Sequence, residues 1–144
     1  MYALYIIPDP LHPAVVHIPI ALWLVGSMFV VLSLFWQTRF FEQAAIWMLS
    51  IGTIGGVAAY VTGEDAVGVA LQLYGDSVGE FLGPHQQFAF YSLITYIAVT
   101  VLQVFNFFYQ NTYVRWGLAV LAVIGAVLTI ITGHYAGRMM YDDV

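Results

Sequence analysis

The chain has no cysteine and no lysine, and its only permanent cations are Arg39, Arg115 and Arg138. The missing thiols exclude disulfides, zinc ribbons, thiolate-held clusters, cysteine nucleophiles and covalent c-type haem attachment. Charged residues make up 8% of the sequence, against roughly a quarter in a soluble domain. The formal charge of −5 leaves no basic patch for phosphates, which argues against a nucleic-acid partner. Disordered chains are poor in aromatics, whereas this one is 17% aromatic and 62% hydrophobic over 144 residues. The class that remains is a small integral membrane protein whose first partner is the lipid bilayer. Four histidines in so apolar a chain are the feature that needs explaining.

A membrane-spanning helix takes roughly 20 apolar residues. Four stretches qualify, at about 13–36, 44–61, 87–108 and 114–132. They predict an all-α membrane protein, a four-helix bundle forming one domain over 1–144. Short polar links, Gln37-Thr38-Arg39 and Gln110-Asn111-Thr112, predict two antiparallel hairpins. The first span lacks the basic N-terminal region of a signal peptide and is too long for one. Between the hairpins, at about 63–84, apolar Val67, Leu71, Tyr74, Val78 and Phe81 alternate with Glu64, Asp65, Asp76 and Glu80. The spacings of three and four suggest an interfacial amphipathic helix interrupted by Gly68, Gly75 and Gly79; a solvated loop is the alternative. Arg39 and Arg115 fall in the short turns, and only Arg138 lies on the side of the termini. The positive-inside rule therefore puts the turns in the cytoplasm, and both termini and the connector outside.

Self-comparison suggests a duplication. Ile54-Gly55-Gly56-Val57 through Thr62-Gly63-Glu64-Asp65-Ala66 aligns without a gap on Ile124-Gly125-Ala126-Val127 through Thr132-Gly133-His134-Tyr135-Ala136. Pro10-Leu11-His12 and Gly83-Pro84-His85 open the two halves alike. Both hairpins then cross in the same sense, as in parallel repeats. Gly52, Gly55, Gly56, Gly125 and Ala126 are expected to let helix backbones approach closely. Gly63 and Gly133 are expected to end their helices.

By this topology all four histidines share one face. His17 lies inside an apolar helix, where an ionisable residue is a functional candidate by default; it could instead bond to a carbonyl freed by Pro19. His12 precedes Pro13 and could be an entry residue. His85 has Gln86 and Gln87 beside it. His134 follows a glycine and aligns with Glu64 in the repeat. Imidazoles from facing helices can ligate haem b, so His12, His17, His85 and His134 are candidate cofactor ligands. A second chemistry is a transition-metal ion held by His17, His85, His134 and Glu64, or Asp65. A five-residue step separates His12 and His17 by about 140° on a regular helix, which favours different partners for the two. No His-Glu-x-x-His, Gly-x-Ser-x-Gly or phosphate-binding loop is present, and no catalytic residue is assigned. Trp23, Trp36, Trp47 and Trp116 are expected in interface belts and bundle packing. Arg138, near Tyr135 and Tyr141, could pair with Asp142 or a haem propionate. Met139 and Met140 are expected at the interface.

The stretch His12-Pro13-Ala14-Val15-Val16-His17-Ile18-Pro19-Ile20-Ala21-Leu22 resembles the opening signature His-Pro-x-x-Val-His-Phe-Pro-Ile-Ala-Leu of the prokaryotic family named domain of unknown function 2231. Thr132-Gly133-His134-Tyr135-Ala136-Gly137-Arg138-Met139-Met140-Tyr141 is similar to its closing Thr-Gly-x-x-Gly-Gly-x-x-Val-Tyr. It departs from that pattern at Ala136 and Met140, and no His-Gly follows Tyr141. The resemblance covers Leu11 to Val144 and implies a four-helix protein of the prokaryotic inner or plasma membrane. Some relatives are joined to Rieske-type iron–sulfur domains, which implies redox company. Three readings follow. One is a small cytochrome b-like protein transferring electrons between quinol and an extracytoplasmic carrier, alone or as a redox-complex subunit. Another is a non-catalytic structural subunit of a respiratory or photosynthetic complex. The last is a metal-binding or proton-coupled transport protein, weakened by the lack of charge near the midplane.

Overall fold

The computed structural model describes residues 10–36, 38–75 and 77–141. They form five helices: α1 (His12–Val15), α2 (His17–Phe35), α3 (Arg39–Tyr74), α4 (Ser77–Tyr109) and α5 (Thr112–Tyr141). Four candidate spans result, with α1 and α2 counted as one. Pro13 opens α1, where its missing N–H would be unsatisfied anyway. Pro19 cannot donate to the Val15 carbonyl, so the helix is interrupted at Val16 before α2 begins.

The tight end of the second hairpin is built by asparagines. Asn106 Oδ1 accepts the Asn111 N–H at 2.9 Å. Asn111 Oδ1 accepts the N–H groups of Tyr113 (2.9 Å) and Val114 (3.2 Å), so Asn111 caps α5. Of the matching link in the first hairpin, Gln37 lies outside the described residues.

The connector differs from expectation. It is neither a separate interfacial helix nor a loop: 63–74 continues α3, and from Ser77 onward it is already α4. Gly63, Gly68, Gly79 and Gly133 all lie inside helices, so Gly63 and Gly133 are not helix ends. A glycine within a helix costs only about 1 kcal/mol, and apolar spacing carries α3 through to Leu71. The break falls at Gly75, whose φ of 73° lies in the left-handed region that glycine tolerates. At 36 residues, α3 is about 54 Å long, well beyond a hydrocarbon core of about 30 Å.

In the bundle α2 packs on α3 and α4 on α5, while α3–α4 and α5–α2 contacts close the ring. Trp23, expected at an interface or in packing, is a core residue, 5% exposed. Its indole stacks on Tyr96 at 4.5 Å, with planes 8° apart. The glycines explain the fit. A Cβ on Gly52 would come within 2.8 Å of Trp23, one on Gly56 would overlap the same indole, and one on Gly125 would lie 3.0 Å from the Tyr96 ring. These glycines therefore admit aromatic rings as well as neighbouring helices, and Gly55 faces Ile18 and Pro19. Trp36, Trp47 and Trp116 are exposed.

Candidate functional site: a histidine pair at one end of the bundle

The inner face of α4 is polar in an otherwise apolar protein. His85, Ser92, Tyr96, Thr100, Gln103 and Asn106 recur along it at helical spacing. Their partners come from the other helices. The Tyr96 hydroxyl lies 2.9 Å from Ser27 Oγ and donates to Trp23 O at 3.3 Å. Thr100 meets Thr53 at 3.0 Å, and Thr53 accepts the Trp23 indole N–H at 3.4 Å. Among the described residues no fully buried side-chain N or O lacks a hydrogen bond, as a dry core requires.

At one end of this seam sit His12 and His85. His12 Nδ1 is 2.8 Å from the carbonyl of Ala59 on α3. His85 Nδ1 is 3.1 Å from the carbonyl of Thr132 on α5. In both cases the carbonyl lies 47 residues further along the chain. A carbonyl only accepts, so each Nδ1 carries the proton and each neutral ring keeps a bare Nε2. Thr62 Oγ1 lies 3.4 Å from His12 Nδ1 and donates to Ala58 O at 2.9 Å. A Cβ on Gly63 would make ordinary van der Waals contact with His12 Cε1, at 3.4 Å. Beside His85, Ser92 Oγ lies 3.5 Å from Thr132 Oγ1. Phe88 stacks on Tyr135 at 5.6 Å.

The other predicted ligands are placed differently. His17 is exposed on α2 and makes no hydrogen bond to the carbonyl freed by Pro19 or to any other described residue. His134 is exposed on α5, and Glu64 and Asp65 are exposed on α3. Among the described residues no three histidine or carboxylate side chains gather into a metal-binding group, so His17, His85, His134 and Glu64 do not converge. Arg138 lies over the Phe81 ring at 4.7 Å; its suggested partner Asp142 falls outside the described residues.

The opposite end holds a cluster that the sequence reading missed. Glu42 is buried at the start of α3. Arg115 Nη2 from α5 lies 3.4 Å from its Oε1, and Arg39 Nη1 lies 3.8 Å from its Oε2. Gln110 donates to Glu42 Oε2 at 3.3 Å and Gln103 to Glu42 O at 3.5 Å. Arg115 also donates to Ser33 O on α2 at 2.6 Å. The signal was present: Glu42 follows the turn residue Arg39 by three positions, and Gln103, Asn106 and Gln110 continue the α4 stripe.

Four membrane-length helices, closed into a ring around a polar seam with two carbonyl-bound imidazoles at one end, define an all-α integral membrane protein. The chain belongs to the family described as predicted membrane protein, DUF2231, whose model matches residues 8–144. No curated protein and no solved structure matches it.

Proposed function

We propose that the chain is a small cytochrome b-like protein in which His12 and His85 together hold one haem b at the histidine end. One observation supports this above the others. Both rings direct Nδ1–H to a backbone carbonyl and keep Nε2 bare, the arrangement that orients metal-ligating histidines. The donor set fits the group: two neutral imidazoles from different helices and no competing thiolate. Haem supplies one-electron chemistry, and the chain's part is to fix the tautomers, orient the rings and exclude water. His17 and His134, exposed at the same end, would serve only a second group shared with another subunit. Quinol and an extracytoplasmic carrier are the corresponding redox partners. The metal set of the transport reading, His17, His85, His134 and Glu64, has no assembled counterpart among the described residues.

The test is a reduced-minus-oxidised spectrum with a pyridine-haemochrome assay on protein purified from a haem-replete host. The b-type band should disappear in His12→Ala and His85→Ala and persist in His17→Ala and His134→Ala. A wild-type protein with no haem band overturns the reading.

A different observation favours the structural-subunit reading. A groove of about 350 Å³ between α2 and α5 is lined by Val31, Leu34, Phe35, Trp116, Ala119, Val120, Val123 and Ile124. Such an apolar furrow suits a neighbouring helix in a larger complex. Co-purification of stoichiometric partners, unchanged when both His12 and His85 are replaced, would support that reading over haem binding.

A further inference from the structure

Helix α3, at 36 residues, is longer than a bilayer requires. A bilayer with its headgroups is about 40–45 Å thick, while α3 alone runs about 54 Å. Exposed Trp36, Phe40, Tyr109, Tyr113 and Trp116 mark the opposite interface near its first residue. The last two turns of α3 therefore project beyond the headgroups at the histidine end. They carry apolar surface there: Leu71 is 42% and Leu73 68% exposed. Glu64, Gly68 and Leu71 fall on one stripe at steps of four and three, and all are exposed. A Cβ on Gly68 would meet nothing within 4 Å, so the stripe is open. From Thr62 to Gln87 the sequence holds four acids and no lysine or arginine. Of the described ones, Glu64, Asp65 and Glu80 are exposed. An acidic arm is repelled by anionic headgroups and attracts cations within a Debye length of roughly 10 Å.

We propose that the α3–α4 hairpin is a docking arm for a soluble protein domain that presents basic side chains around an apolar contact. Leu71, on the same stripe as Glu64, supplies the apolar contact, and Glu64, Asp65 and Glu80 supply the steering charge. The assignment stands apart from the haem reading, because it needs no cofactor in this chain.

The test uses the full chain in zwitterionic nanodiscs. The probe is a basic soluble c-type cytochrome, whose apolar haem edge is ringed by lysines, with its succinylated form as control. Binding of the basic form should fall at least about tenfold between about 20 and 200 mM salt. The triple variant Glu64→Gln, Asp65→Asn, Glu80→Gln should lose a comparable factor and most of its salt dependence. Leu71→Ser should bind several-fold more weakly with the salt dependence kept. Equal binding of the succinylated probe, salt-independent binding by the wild type, or unchanged binding by either variant overturns the proposal. So does quenching of a Leu73→Trp reporter by brominated lipid, which would place the tip in the membrane. Loss of the haem band with docking intact would sink only the haem reading.

Discussion

Replacing Glu42 should unlock the turn end of the bundle, and the two arginines beside it should respond unequally. At the 3.4 Å separation from Arg115, two unit charges attract by about 5 kcal/mol at an effective dielectric near 20. Desolvation offsets much of that attraction, because the Glu42 side chain is 6% and the Arg115 side chain 13% exposed. Removing one partner leaves the other charge buried and uncompensated, which costs about 3–5 kcal/mol. Glu42→Gln keeps the shape and a hydrogen-bonding oxygen, so about 3 kcal/mol is expected. Arg115→Gln also loses the bond to Ser33 O and should cost about as much. The double variant should be less destabilised than the sum by about 2 kcal/mol. Arg39 is 62% exposed and 3.8 Å away, so Arg39→Gln should cost under about 1 kcal/mol. Unfolding in mixed detergent, followed by circular dichroism, gives all four values. Equal costs for Arg39→Gln and Arg115→Gln, or an additive double variant, would refute the reasoning.

Other expectations follow from the packing. Gly56→Ala should lower the unfolding midpoint sharply because its Cβ meets the Trp23 indole, and tryptophan fluorescence should report the displaced ring. Gly68→Ala, at an open site inside α3, should instead stabilise by about 0.5–1 kcal/mol; a destabilised variant would mean that the helix is not continuous there. Tyr96→Phe removes the hydroxyl bonded to Ser27 and Trp23 O and should cost about 1 kcal/mol, with most of that cost absent in a Ser27→Ala background. Gly75→Ala places a side chain at φ 73° and should cost about 1–2 kcal/mol in the same unfolding assay.

The number of membrane spans and the Asn111 turn were legible because long charge-free runs and short polar links have one solution in a bilayer. The extent of the helices was not. Gly63 and Gly133 look like stop signals, yet Val67, Leu71, Val78 and Phe81 keep helical phase beyond the bilayer, where Val78 and Phe81 are buried. Trp23 resembled its three exposed counterparts because composition does not say which tryptophan faces glycines on a neighbouring helix. The site was half legible. His12 and His85 could be placed at one face, but their carbonyl partners depend on which turn of α3 and α5 lies alongside. Glu42 was overlooked because the turn arginines were weighed for orientation alone, although both face the same carboxylate.

The two histidine bonds divide the work of assembly. His12 reaches Ala59 and His85 reaches Thr132, so each bond closes inside its own half of the chain. The first can form while the second half is still being made. Contacts that need both halves, such as Trp23 on Tyr96 and Glu42 with Arg115, lie deeper in the bundle or at its far end. The molecule is thus two hairpins, each fastened at the histidine end and joined to the other at mid-depth and at the turn end. The α3–α4 and α5–α2 contacts are the two seams of the ring that need both halves.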